Sequence, residues 1–234
     1  MKESSLNNRQ SNSTLPFLFK LGVILAGALL SSWLGSILVQ QLMPVFRNYV
    51  AAVDSNAFWY LSRASGIISY IFLWASSLLG LLMTNRMISR GRNFQLVHEL
   101  HQFASNFGLF LITLHFFVLL FDQYMRVSVW QILIPFTFFD YRPLSVGLGQ
   151  IGLYIWLLLV GSFYVRKFIG RQNWRWIHYF SFGLFWLSLL HGFTAGTDSS
   201  LAAMQIIYWV SGSSVTFMTV YRILNAIFKR PVNN

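Results

Sequence analysis

The chain has 234 residues, of which 56% are hydrophobic and only 10% charged, and it contains no cysteine. Soluble domains are about 25% charged, so this composition excludes an ordinary soluble globular protein and predicts a surface that faces lipid. The absence of cysteine excludes disulfides, thiolate-ligated iron–sulfur clusters and covalently attached haem. The net charge of +11 is typical of the basic loops that orient a membrane protein.

Six apolar stretches are long enough to be transmembrane helices, since a span needs roughly 20 mainly apolar residues. The predicted spans are Leu18–Leu42, Ala57–Met83, Phe94–Phe121, Val146–Val165, Trp176–Phe193 and Leu201–Leu224. We therefore expect an all-α bundle of six transmembrane helices over residues 15–225, with short cytoplasmic tails at 1–14 and 226–234. The first span is predicted to be an anchor, because its apolar run is too long for a signal peptide.

The distribution of basic residues predicts the orientation of the chain. Lys and Arg are concentrated in the N-terminal tail, in the loops at Arg86–Arg92 and Arg166–Arg175, and at the C-terminal end. Positive charge therefore alternates with every crossing, and both termini are predicted to be cytoplasmic. In the longest outer loop, Val127–Phe136 is predicted to contain a short interfacial helix.

Four histidines lie inside two of the predicted spans. His101 and His115 form an i, i+14 pair in the third span, and His178 and His191 form an i, i+13 pair in the fifth. At about 1.5 Å of rise per residue each pair covers roughly 20 Å, so we predict two levels: His101 with His178 near the cytoplasm, and His115 with His191 near the outside. Ionisable groups inside a bilayer are costly and usually functional. Two imidazoles from facing helices are the axial ligands of six-coordinate haem iron, so the pattern predicts two stacked b haems.

The i, i+13 spacing is the weakest part of this geometry. An i, i+14 spacing returns to within about 40° of the same helix face, whereas an i, i+13 spacing leaves about 140°. We therefore expect either a local irregularity in the fifth span, for example at Gly183, or haems offset to opposite sides of that helix. His98, which shortly precedes His101, is an alternative inner ligand, for which a loop or propionate role is favoured.

Several arginines are candidates for binding haem propionates. Arg63 in the second span needs a counter-charge, which a propionate would supply with fork geometry; the alternative is that its side chain extends to the membrane surface. Arg142 is predicted to border the same outer surface. Arg175, like Arg92 and Arg171, either binds a propionate of the inner haem or contributes only to the orientation of the chain in the membrane.

A literal G-x-G-x-x-G sequence occupies Gly147–Gly152 at the start of the fourth span. It has no preceding strand and no acidic residue at the distance that a dinucleotide site needs, so we interpret its glycines as allowing close helix packing. No residue is assigned a catalytic acid–base role.

Four stretches carry a resemblance to a known family: Trp59–Gly66 (WYLSRASG), Glu99–His115 (ELHQFASNFGLFLITLH), Tyr141–Gly147 (YRPLSVG) and Trp174–Ser199 (WRWIHYFSFGLFWLSLLHGFTAGTDS). Over the second to fifth spans the sequence resembles the ferric reductase-like transmembrane domain family, which includes the membrane part of the NADPH oxidases. The resemblance implies that the four histidines ligate two b haems, that the i, i+13 spacing is workable, and that Arg63 lies near the outer haem.

The resemblance also implies transmembrane electron transfer from a cytoplasmic or membrane donor to an extracytoplasmic acceptor such as ferric iron, dioxygen or a partner reductase. Family members that oxidise NADPH carry a flavin and nucleotide domain after the sixth helix, and only Asn225–Asn234 follow here. We therefore expect an oxidoreductase membrane subunit in a bacterial plasma membrane, with a separate flavoprotein or quinol as donor and no nucleic-acid partner. The alternatives are a haem-binding sensor or assembly protein, and a haem-free transporter or proton channel, although the internal repeats of a transporter are not seen.

Overall fold

The computed structural model describes residues 55–88, 91–122 and 125–228, together with nine single positions between 19 and 41. Within these ranges the chain is helical and forms no strand. The helices are α1 (Ser55–Thr84), α2 (Arg92–Leu119), α3 (Val129–Leu133), α4 (Pro143–Tyr164), α5 (Arg166–Ile169), α6 (Arg171–His178), α7 (Phe180–Ala195) and α8 (Ala202–Phe228). The predicted first span, Leu18–Leu42, lies outside the described residues apart from those single positions, as do the tail at 1–14 and most of the tail at 226–234.

Three of the described helices are long and apolar enough to cross a membrane. They are Asn56–Thr84 within α1, Asn93–Leu119 within α2, and Pro143–Tyr164, which is α4. By length and composition these helices mark the chain as a membrane protein. They coincide closely with the predicted second, third and fourth spans.

Local sequence explains where several helices begin. α4 has Pro143 in its first turn, where the N–H that proline lacks would have no helical partner. α2 follows Gly91, whose φ of 133° is a conformation that glycine adopts without strain. α3 begins with a capping box, in which the side chains of Ser128 and Gln131 each accept from the other's backbone N–H. A short helix within Val127–Phe136 is thus confirmed.

The predicted fifth span is interrupted. α6 ends at His178, and α7 starts at Phe180. The N–H of Tyr179 donates to the carbonyl of Trp176, and the N–H of Phe182 donates to the carbonyl of Tyr179, both at 3.2 Å, which is the tighter i to i+3 pattern of a 3₁₀ turn. The irregularity expected from the i, i+13 spacing therefore exists, but it lies at Tyr179 and not at Gly183, which is inside the regular helix α7.

α1 is the central helix of the described bundle. It packs along α2 and also contacts α7 and α8, while α4 packs along α7 and contacts α2. Side chains from α1, α4, α7 and α8 meet in one apolar core, which consists of Leu73, Leu81, Trp156, Leu184, Phe185, Val215 and Met218. This packing presses the histidine-bearing helix α2 against α1, and α7 against α4.

Candidate functional site

His115 on α2 rests against a serine and a glycine of α1. Its Nδ1–H donates to the backbone carbonyl of Ser62 at 2.8 Å, and the hydroxyl of Ser62 lies 3.1 Å from the same nitrogen. Gly66, one helical turn later, faces the ring so closely that a Cβ there would lie 3.0 Å from Nδ1. Because a carbonyl can only accept, Nδ1 carries the ring proton and Nε2 keeps its lone pair for a ligand.

His101 is held in the same way by the same helix. Its Nδ1–H donates to the carbonyl of Ser76 at 2.8 Å, and a Cβ at Gly80 would lie 3.4 Å from the ring carbon Cε1. Ser62 and Ser76 are themselves an i, i+14 pair, with the same spacing as the two histidines on α2. Since this spacing returns to nearly the same helix face, one antiparallel helix pair presents both rings identically.

His191 on α7 has a third arrangement of this kind, on α4. Its Nδ1–H donates to the carbonyl of Ser145 at 2.7 Å. A Cβ at Gly149 would lie only 2.6 Å from Nδ1, which is a steric clash. We call each serine carbonyl, together with the glycine one helical turn later, a docking unit. The three docking units fix the tautomer and orientation in which a histidine binds a metal through Nε2.

His178 has no docking unit. In the part of the chain that the structure describes, its ring donates to no carbonyl of a neighbouring helix, and its ring contacts are with Trp174 and His101, at centroid distances of 5.2 and 6.2 Å. The two histidines of the fifth span are 13 residues apart, and the same step along α4 from Gly149 reaches Ser162. Ser162 is buried and carries a Cβ, so it cannot take the place of the glycine in a docking unit. Such a spacing also turns about 140° away from the first docking face, so α4 does not repeat the arrangement.

A cavity of about 500 Å³ is lined by His101 and His178. Its walls come mainly from α1, α2, α4, α6 and α7, and they are largely apolar. The charged side chains among its lining residues are all cationic: Arg166, Arg171, Arg175 and Arg222. His98 also lines it. Cofactor pockets commonly measure about 300–1,000 Å³, so the cavity has the size of a cofactor site and the charge to receive an anionic group.

Trp174, which lines this cavity, has a buried hydrogen-bond donor without a partner among the described residues. The donor is its indole Nε1, and Arg171 and Arg175 line the same cavity. Leaving a buried donor unsatisfied costs about 1–3 kcal/mol. An acceptor brought to Nε1 would remove that cost.

The end of α7 just beyond His191 is tied to the start of α4. The hydroxyl of Tyr141 donates to the carbonyl of Ala195 at 2.7 Å, and the guanidinium of Arg142 donates to the carbonyl of Thr194. A cation at the carboxyl end of a helix is favourable because the last carbonyls carry partial negative charge. These contacts hold α7 next to the docking unit on α4.

Arg63 pairs with Asp198 in the turn that follows α7. Its Nε donates to one carboxylate oxygen at 2.7 Å, its terminal nitrogen contacts the other oxygen, and its guanidinium lies 4.0 Å from the ring centroid of Trp59. The counter-charge that was predicted to come from a haem propionate is thus supplied by the protein, and the propionate contact of Arg63 stays a prediction. The pair joins the end of α7 to α1 beside the docking residue Ser62.

At one of the two predicted levels the histidine rings are neighbours. The ring centroids of His101 and His178 are 6.2 Å apart, and the rings of His115 and His191 are docked on α1 and α4. The four other candidate side chains divide between the levels: His98 and Arg175 line the cavity, whereas Arg63 and Arg142 bind the end of α7 and the turn after it. The side chain of Arg92 lies outside the described residues.

The docking units were not predicted from the sequence, although the sequence contains a signal for them. The pattern S-x-x-x-G occurs twice in the second span, at Ser62 and Ser76, with the same i, i+14 spacing as the histidines. Gly149, the glycine of the third docking unit, lies within the G-x-G-x-x-G sequence. Gly149 and Gly152 face residues of α7, as the predicted helix packing requires, whereas Gly147 faces Phe136 in the turn after α3. Comparisons with protein-family models, curated proteins and solved structures found no match for the chain.

Proposed function

We propose that this protein is a transmembrane electron carrier with two b haems, one between His115 and His191 at the outer level and one between His101 and His178 at the inner level. Electrons enter from a donor at the cytoplasmic face and leave to an acceptor such as ferric iron, dioxygen or a partner reductase outside. The resemblance to the ferric reductase-like transmembrane domain family supports the same function.

The observation that carries the proposal is the state of the histidine rings. Three of the four donate Nδ1–H to a backbone carbonyl at 2.7–2.8 Å, which leaves Nε2 unprotonated and oriented. A histidine that served only as a hydrogen-bonding group between helices would not need the same serine and glycine geometry three times. Metal-ligating histidines characteristically fix their second ring nitrogen in this way.

The residues around the inner pair fit a haem. The ring centroids of His101 and His178 are 6.2 Å apart, close enough that the two imidazoles would hold one haem between them. The cavity beside them is apolar with a cationic rim, which suits a flat apolar group carrying two carboxylates. The buried N–H of Trp174 and the guanidinium groups of Arg171 and Arg175 would hold those carboxylates.

When bound, the haem iron would supply one-electron redox chemistry, and the protein would supply the ligands, their orientation and the exclusion of water. The docking units orient the ligating nitrogens. Trp156 is buried against Gly108, midway between the two histidines of α2, and donates to the carbonyl of Ser105 at 3.2 Å. Its indole thereby excludes water from the space between the levels. No proton transfer by a side chain is required.

The proposed topology has six spans with both termini in the cytoplasm. α6 and α7 together form the fifth span, and α8 forms the sixth, exposing large apolar side chains such as Ile206, Trp209 and Phe217 as a lipid-facing helix would. The cationic rim at the 101/178 level agrees with the excess of basic residues expected on the cytoplasmic side.

The decisive test is haem binding by the purified protein. Reconstituted with haem, it should bind about two haems per chain and show the six-coordinate spectra of bis-histidine b haem in the oxidised and dithionite-reduced states. In vesicles, a reductant on one side should then reduce ferric chelate on the other. Failure to bind haem would exclude electron transfer and leave the haem-free channel or transporter as the better interpretation.

A further inference from the structure

We infer that Gly149 and, more weakly, Gly66 are positioning residues that set how His191 and His115 are presented, whereas Gly80 leaves room for a side chain beside His101. The docking itself follows from the geometry of the chain alone, while its effect on haem rests on the proposed function. Each glycine acts through a histidine ring and not by touching the cofactor.

The order follows from the space that each glycine leaves. A Cβ would lie 2.6 Å from the ring Nδ1 at Gly149, 3.0 Å from Nδ1 at Gly66, and 3.4 Å from the ring Cε1 at Gly80. The first distance is incompatible with any side chain, the second is tight, and the third is ordinary van der Waals contact. At Gly149 the ring has to move, because the alternative is to displace the backbone of a packed helix.

Moving the ring also removes its hydrogen bond. Nδ1 of His191 is held to the carbonyl of Ser145 at 2.7 Å, and a shift of the ring large enough to admit a methyl group takes it out of hydrogen-bonding range. The imidazole then loses both its position and its fixed tautomer. Substituting the glycine therefore affects the ligand even though the histidine itself is unchanged.

All three docking units use the backbone carbonyl, and in the two units on α1 the serine hydroxyl also lies 3.1 Å from Nδ1. The unit on α4 differs: among the described residues, Nδ1 of His191 bonds to the carbonyl of Ser145 at 2.7 Å and not to its hydroxyl. Replacing Ser145 by alanine retains the carbonyl and should retain docking. In the unit on α4, replacing the glycine by alanine should therefore disrupt docking of His191, whereas replacing the serine by alanine should not.

The experiment compares three alanine variants on α4, namely Gly149→Ala, Ser145→Ala and Gly161→Ala. Gly161 is the matched control, because it lies on the same helix and no described atom of a neighbour lies within 4 Å of the position of its Cβ. Gly149→Ala should lower the bound haem from about two to about one per chain and remove one of the two low-spin signals. Ser145→Ala and Gly161→Ala should keep both signals.

A second readout does not depend on haem. Nuclear magnetic resonance of the apo protein labelled with ¹⁵N-histidine distinguishes a ring protonated on Nδ1 from the other tautomer. The wild type should show His191 protonated on Nδ1, and Gly149→Ala should lose that state while Gly161→Ala keeps it. Gly66→Ala should weaken the same signal of His115, and Gly80→Ala should leave that of His101 unchanged.

The outcomes separate this inference from the proposed function. If the wild type binds no haem but its histidines show the docked tautomer, the proposed function fails and the docking inference stands. If the wild type binds two haems and Gly149→Ala binds them equally well with an unchanged tautomer, the inference is overturned and the proposed function stands. Loss of haem in Gly161→Ala as well would also overturn it, since general disturbance of α4 would then explain the effect.

Discussion

The 115/191 site is held from several sides, whereas the 101/178 site is held from one. At the first, both histidines have docking units; Tyr141 and Arg142 bind the end of α7, and Arg63 binds the turn that follows it. At the second, one of the two histidines is docked within the described bundle, and a cavity of about 500 Å³ opens beside it. The first site is therefore preorganised by the protein, and the second depends more on what fills it.

The difference has a geometric origin. An i, i+14 spacing brings Ser62 and Ser76 to one face of α1, so the same helix serves two histidines of its partner. An i, i+13 spacing does not return to the same face, and the chain breaks its helix at Tyr179 beside His178. The break places the fourth ring near His101 but leaves it, among the described residues, without a carbonyl acceptor from a neighbouring helix.

Removing individual histidines should expose this difference most strongly. His191→Ala should lose the outer haem completely, lowering the content from about two to about one per chain. His178→Ala should retain haem in the inner cavity through His101, now five-coordinate and able to bind carbon monoxide after reduction with dithionite. Optical spectra and haem assays measure both effects. Equal and complete loss in the two variants would remove the distinction between the sites.

Trp174→Phe should have the next largest effect on haem binding, and it should act on the 101/178 site alone. A hydrogen bond to a charged group contributes about 1.5–3 kcal/mol, so losing the indole N–H should weaken haem binding at the inner level by about tenfold or more. The outer haem provides the internal control. Haem titration resolves the two affinities, and an unchanged inner affinity would show that no acceptor meets Nε1.

Disrupting the Arg63–Asp198 ion pair tests how the 115/191 site is held. The side chains are 27% and 17% exposed, so the pair should contribute about 1–2 kcal/mol, between the values for surface and buried ion pairs. A double-mutant cycle with Arg63→Ala and Asp198→Ala, followed by thermal unfolding, measures it. If Arg63 also binds a propionate, Arg63→Ala will shift the outer haem potential more than Asp198→Ala does; equal shifts would argue against that contact.

Tyr141→Phe should have the smallest effect. It removes one hydrogen bond, to the carbonyl of Ala195, and should lower the free energy of unfolding by about 1 kcal/mol. Tyr60→Phe is the matched control, because Tyr60 is exposed. Similar loss of stability in both variants would mean that the Tyr141 hydroxyl does not hold α7.

Hydropathy was sufficient to predict α1, α2 and α4, because a long apolar run has few alternatives to a spanning helix. The two histidine levels were predicted from helical rise alone, and the rings of His101 and His178 do lie near one another. The helix break at Tyr179 was not predictable in position, since i to i+3 and i to i+4 hydrogen bonds differ little in sequence preference. The pairing of Arg63 with Asp198 was also missed, because the two residues are far apart in sequence and only the packed bundle brings them together.

The paired docking units of α1 make the length of this helix a constraint in its own right. One inserted or deleted residue between Gly66 and Ser76 rotates one unit by about 100° relative to the other, and no change of side chain compensates for that rotation. The segment between Gly66 and Ser76 should tolerate many substitutions but no insertion or deletion. Inserting one alanine there should disable one site, whereas inserting a residue into the loop after α7 should disable neither.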